Sequence, residues 1–242
     1  MAITSAPHRG GHTAHGSQLT LIVAVAAAVI IAAAMVAALL AHGGGSSGSG
    51  IQGSGIAVAQ MRTVPGFSSL ELAGSNDVTV VVGAPQSVMV HADSNLVSHV
   101  TTKVVGGTLV IADTGSFTTR TPMSVEVSMP SLTALNLSGS GQLSVTGIRA
   151  SQLTATVSGS GMLYAAGTAT RLDVTLSGDG LAQLNQLTAS EVHAVVTGSG
   201  LIQVTATTSL DAAVPGTGAI VYSGNPPQVT SSVTGIGTVT RG

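Results

Sequence analysis

The chain has 242 residues, 32 of them glycine, with 7% charged side chains, a formal net charge of −2 and no cysteine. Beyond residue 50 its cations, Arg62, Lys103, Arg120, Arg149, Arg171 and Arg241, stand singly, and Phe67, Phe117, Tyr164 and Tyr222 are its only aromatics. With neither a basic face nor a stacking platform, no nucleic-acid partner is expected, and the lack of cysteine excludes disulfides, thiolate metal sites and a lipid-modified cysteine anchor.

Residues 1–18 are small and polar, a composition that predicts a disordered tail on the cytoplasmic side. His8, His12 and His15 in this tail have no structured partner ligands and read as solvated side chains. From Leu19 to Ala41 the chain is apolar apart from Thr20. A helix over these residues would be about 35 Å long, enough to cross a hydrocarbon core of about 30 Å. This predicts a single-pass anchor in the cytoplasmic (inner) membrane. The alternative is secretion after cleavage, although the apolar region is long for a cleaved signal. Arg9 precedes the apolar stretch and no Lys or Arg follows until Arg62, so the N-terminus is expected inside and the C-terminal bulk outside, facing the periplasm or exterior. Residues 42–55, rich in Gly and Ser, read as a flexible linker.

Residues 56–242 are dominated by one repeated phrase. It runs Ser138-Gly139-Ser140-Gly141, Ser158-Gly159-Ser160-Gly161, Ser177-Gly178-Asp179-Gly180, Thr197-Gly198-Ser199-Gly200, Pro215-Gly216-Thr217-Gly218 and Thr234-Gly235-Ile236-Gly237, at spacings of 20, 19, 20, 18 and 19 residues. Before each phrase apolar residues alternate with polar or small ones, as in Leu153, Ala155 and Val157 or Leu172, Val174 and Leu176. The alternation resumes afterwards with pairs such as Leu163 and Ala165 or Ile202 and Val204. Period two marks strands with one buried face. Each repeat therefore reads as strand, Gly-rich corner, strand and a looser return such as Thr146–Ser151, with no helix. The expected fold is all-β: a parallel β-helix of about 19 residues per coil. Glycine is expected at the corners for its access to positive φ, and the neighbouring hydroxyls are expected to stack from coil to coil. Upstream, Leu70 and Leu72, Ala73-Gly74-Ser75, then Val78 and Val80 follow the same rule. Asp93-Ser94-Asn95, Gly106-Gly107 and Asp113–Thr121 read as turns or loops. Some nine or ten coils at about 4.8 Å each would form a rod of roughly 45 Å.

The segments Gly53-Ser54-Gly55, Phe67-Ser68-Ser69-Leu70-Glu71-Leu72, Val90-His91-Ala92-Asp93-Ser94-Asn95-Leu96 and Gly107-Thr108-Leu109-Val110-Ile111, with the Ser-Gly-Ser-Gly repeats, resemble the GIN domain. This is a bacterial family described as autotransporter-adhesin heads, and the likeness covers nearly everything after residue 50. It implies a right-handed β-helix displayed in the cell envelope, and it brings no catalytic residues to transfer. The chain differs from an autotransporter in carrying an N-terminal apolar stretch and no C-terminal membrane barrel.

With coils in register, Asp173, His193 and Asp211 would stack as a ladder on the outward face. This ladder is the candidate surface site, and its bland counterpart is an imidazole between two solvated carboxylates. No catalytic residue, metal site or cofactor is assigned. The corners carry Ser or Thr where calcium-binding repeats carry Asp, and a strand rather than a helix follows each Gly-Ser-Gly, against a phosphate loop. Glu71, Asp77, Asp93, Asp113, Glu126 and Glu191 read as solvated or turn residues. The function expected is a membrane-anchored, non-catalytic adhesion, interaction or structural module with a protein or glycan ligand. The alternatives are a carbohydrate-active β-helix enzyme and a self-assembling scaffold that oligomerises through the open end of its last coil, Val229 to Arg241.

Overall fold

In the computed structural model, residues 50–242 are described. The expected membrane helix at 19–41, the tail and most of the linker lie outside the described residues. Among the described residues no helix is long and apolar enough to cross a membrane.

The alternating segments form strands that stack in parallel as a β-solenoid. One face (face A) is built from β3 (Ser69–Leu72), β7 (Thr108–Asp113), β10 (Ala134–Leu137), the second halves of β11 (Gln142–Val157), β12 (Met162–Leu176), β13 (Leu181–Val196) and β14 (Leu201–Val214), and β16 (Gln228–Val233). The other (face B) is built from β4 (Asp77–Val82), β9 (Ser124–Met129), the first halves of β11 to β14, β15 (Ala219–Gly224) and β17 (Thr238–Arg241). The regular winding from β10 to β17 makes about five turns.

Register repeats the sequence period. Leu72 pairs with Leu137, which pairs in turn with Val157, Leu176 and Val196 up the stack, and all five are fully buried. The inward residues expected on both sides of the corners are buried. Burying a Val or Leu side chain contributes about 1.5–3 kcal/mol; repeated in every coil, this drives an aromatic-poor chain into one continuous core.

Three expectations need correction. First, the coils are not all stacked in sequence order. On face A the order is β7, β3, β10, so the coil β7–β9 lies outside the earlier coil β3–β4. Three further upstream strands are antiparallel: β5 (Ser87–Asp93) pairs with β9, β2 (Ala57–Met61) with β5, and β6 (Val100–Val105) with β7. These strands cover an end that would otherwise present unpaired backbone. The nine or ten sequential coils therefore reduce to the five regular turns plus this capped end.

Second, the return segments are not loose. Thr146–Ser151 and Asn185–Ser190 belong to β11 and β13, which turn through register shifts at Val145/Ile148 and Leu184/Thr188.

Third, none of the corner glycines has positive φ. Their need is proximity. A Cβ on either glycine of any of the six corners would lie at or inside 2.7 Å of a carbonyl oxygen in the coil below. Positive φ occurs instead at the opposite turn, in Gly147, Gly167 and Gly224. The corners are joined by backbone bonds such as Ser158 N–H to Leu137 O and Met162 N–H to Gly141 O. Among the described residues no hydrogen bond links corner hydroxyls from coil to coil.

Candidate functional site

Because β12, β13 and β14 stack in register, Asp173, His193 and Asp211 stand opposite one another on the outward side of face A. The three residues therefore share one row of register partners. His193 Nδ1 lies 3.3 Å from Asp211 Oδ2, with the two side chains 44% and 61% exposed. Asp173 turns the other way and accepts a hydrogen bond from Gln152 Nε2 at 3.2 Å. Two residues earlier on each strand a second rung forms, with Arg171 donating to Glu191 at 2.6 Å.

Of the eight Asp, Glu, Lys, Arg and His residues after residue 133, five stand on this strip. The strip is part-exposed to solvent and of mixed sign. Among the described residues no three or more His, Asp or Glu side chains gather as a metal ion would require. The arrangement can present hydrogen-bond donors, acceptors and both charges to a partner surface.

A second polar centre lies in the capped end. Asp93, at the end of β5, is fully buried, against its reading as a turn residue open to solvent. Its Oδ1 accepts the Gly55 N–H at 2.7 Å, and its Oδ2 accepts those of Arg120 at 2.9 Å and Thr121 at 3.2 Å. Burial pushes this carboxyl up, but the N–H groups of Arg120, Thr121 and Gly55 outweigh it and hold the pKa below the ordinary range. The long segment after Asp113, read as a turn or loop in sequence, is thereby tied down. Its β8 (Phe117–Thr118) also pairs with β1 (Ile51–Gln52).

Asp113 begins the corner stack. Its Oδ2 accepts the Ser75 N–H at 2.9 Å and its Oδ1 accepts from Asn76 Nδ2, over the face of Gly74. Glu71 on β3 is only 4% exposed, and burial raises its carboxyl despite the Ser138 hydroxyl that donates to it. Sequence reading missed all three buried or tied acids. Asp93 carried a signal, since Asp-Ser-Asn after an alternating strand is an Asx-turn composition. Asp113 and Glu71 carried none, because their neighbours come from a coil order that the sequence does not display.

A shallow groove of about 440 Å³ beside the cap is lined by Met61, Arg62, Val64, Ser98, Thr101 and Lys103, among others. The Arg62 guanidinium donates inward from Nη2 to the carbonyls of Val97 and Val100, while its buried Nε has no partner.

Comparison with known proteins identifies the scaffold. Residues 66–226 match the family profile described as "Putative auto-transporter adhesin, head GIN domain". A putative adhesin from Bacteroides fragilis is similar in structure, with a TM-score of 0.68 and 22% identity over 79% of this chain and 100% of that one. A putative lipid binding protein from Parabacteroides distasonis is similar with a TM-score of 0.51 and 22% identity, over 80% of this chain and 100% of that one. At such identities the likeness establishes the fold alone. No curated protein matches in sequence.

Proposed function

Because the chain belongs to the head GIN domain family of putative auto-transporter adhesins, we propose that it is a membrane-tethered envelope protein. In this reading its right-handed β-solenoid serves as a non-catalytic interaction module. The observation that carries the reading is the strip on face A. Arg171, Asp173, Glu191, His193 and Asp211 gather on one exposed face, whereas the rest of the chain after residue 133 carries only Arg149, Asp179 and Arg241. A flat, mixed-charge strip suits reversible contact with a polar partner, a glycan or an envelope protein surface. Hydrolysis of a sugar chain would need carboxylates converging across an enclosed substrate, and the ladder's members instead stand side by side in water. Residues 19–41 supply the tether, with the N-terminus inside and the solenoid outside, by the length and charge arguments above.

The test is retention of envelope glycan and protein fractions by the immobilised full chain, compared with the variant His193→Ala/Asp211→Ala/Glu191→Ala. Weaker retention at unchanged melting temperature supports the strip as the contact surface. Equal retention removes it, and polysaccharide turnover abolished by the same substitutions would favour the enzyme. Protease accessibility of the solenoid in intact cells tests the orientation independently.

A further inference from the structure

The two ends of the solenoid differ. The first is closed by antiparallel strands, whereas at the other, among the described residues, β16 and β17 pair on one side only. Val229 and Val233 of β16 point where Leu210 and Val214 point one coil earlier. Leu210 and Val214 are 2% and 0% exposed, but Val229 and Val233 are 44% and 45% exposed. At the adjoining corner Ile236, 86% exposed, occupies the position held by Ser140, Ser160, Asp179, Ser199 and Thr217 in the other coils. No charged side chain, proline or bulge interrupts β16, so the usual protections of a free edge are missing.

The edge is also self-complementary. Thr234 N–H donates inward to Val214 O. By strand alternation, the N–H and C=O groups of Val229, Ser231 and Val233 therefore project to the open side. The sequence Val229-Thr230-Ser231-Ser232-Val233 is symmetric about Ser231 in its inward residues. Set antiparallel to itself about Ser231, it brings Val229 opposite Val233 of the second strand and Ser231 opposite Ser231. These are the residues whose backbone groups face outward, giving about six hydrogen bonds with the apolar side chains continuing one core.

We propose that β16 pairs antiparallel with β16 of a second copy, joining two solenoids tail to tail across a two-fold axis. The consequence concerns adhesion and rests on the reading of the chain as a tethered module. The chain enters the domain at the capped end, where β1 pairs with β8. With eight strands on face A spaced about 4.8 Å apart, a tail-to-tail pair holds its two entry points roughly 70 Å apart, at opposite extremes. Copies so joined connect two facing membranes rather than neighbours in one.

The full chain in detergent is sedimented over a concentration series and, separately, reconstituted into phosphatidylcholine vesicles. A dimer and clustered vesicles are expected. Ser231→Pro removes one outward N–H without touching the bonds to β14 and should dissociate the dimer. Val229→Lys and Val233→Glu, at positions the monomer leaves half exposed, should each weaken it at least about tenfold by placing a charge in the joint. Mixing these two variants sets the opposite charges against each other and should restore pairing, which only the stated register predicts. A monomer at all concentrations overturns the proposal, as does a dimer indifferent to Ser231→Pro. A monomer whose Val229, Ser231 and Val233 amides resist hydrogen exchange also overturns it, because the chain's own residues 1–49 would then be covering the edge. A dimer in detergent with no incorporation into vesicles keeps the pairing and removes the tether, so the two readings fail separately.

Discussion

Asp93 holds Gly55 by a hydrogen bond of 2.7 Å between its Oδ1 and the backbone N–H, joining the entry of the chain to the end of β5. Through its other oxygen the same carboxylate fixes Arg120 and Thr121. Three backbone donors from two distant segments thus share one buried acid. Asp93→Ala strands all three and should be strongly destabilising. Asp93→Asn keeps the shape but loses the charge and one acceptor, and should fall between. Chemical denaturation of the three proteins checks the order.

The same carboxylate sets a pH dependence. Its pKa is depressed in the folded chain, so the unfolded state binds the proton first. The stabilisation from Asp93 is fully present above the unfolded carboxyl value and is lost as pH falls through the folded one. Denaturation midpoints should decline on the acid side below about pH 4, and Asp93→Asn should flatten that decline.

Glu71 works in the opposite direction. Burial raises its pKa, so between its unfolded and folded values the native state holds more protons and stability falls as pH rises. Its register partner Asn136 is also buried, and the Asn136 Oδ1 has no hydrogen-bond partner. A carboxylate offers that oxygen nothing, whereas a neutral amide offers a donor. Glu71→Gln should therefore raise the melting temperature at pH 7 and leave it nearly unchanged at pH 4. A fall at pH 7 would mean that the charge is satisfied by groups other than Ser138.

These acids mark where the sequence was legible and where it was not. Leu153, Leu172, Val192 and Leu210 could be stacked from spacing alone because each coil repeats the last, and so could Asp173, His193 and Asp211. Asp113 could not, since it stacks over Gly74, which precedes it by a whole coil in the wrong direction. Period two tells which way a side chain points within its strand. It carries no information on which strand lies next, and the capped end departs from sequence order. The corner glycines show the same limit in another form: their positions were plain, but the reason for them was closeness between coils rather than backbone conformation.

That distinction can be measured. A Cβ on Gly159 would meet the carbonyl oxygens of Ser138 and Gly139 inside contact distance, and neighbouring coils hold that backbone in place. Gly106 has a φ of +58° with nothing within 4 Å of the added atom. Gly106→Ala should cost only the left-handed penalty of about 1–2 kcal/mol, and Gly106→Asn less, since asparagine tolerates that region. Gly159→Ala should cost about 3 kcal/mol or more from overpacking, and Gly159→Asn should be no better. Equal rescue by asparagine at both sites would return the corners to a conformational explanation.

His193 and Asp211 test whether the strip on face A contributes to stability or only to contact. Their 3.3 Å pair is largely in water, with side chains 44% and 61% exposed, and exposed pairs couple by about 0–1 kcal/mol. A double-mutant cycle of His193→Ala and Asp211→Ala should give a coupling in that range. Because the charges are open to solvent, 1 M salt, with its screening length of about 3 Å, should remove most of it. The folded chain would then tolerate alanine at both positions, so any loss of retention on envelope material in the same variants belongs to binding. A coupling well above that range and indifferent to salt would mean that the two side chains hold the coils together, and the strip would lose its standing as a surface free to bind.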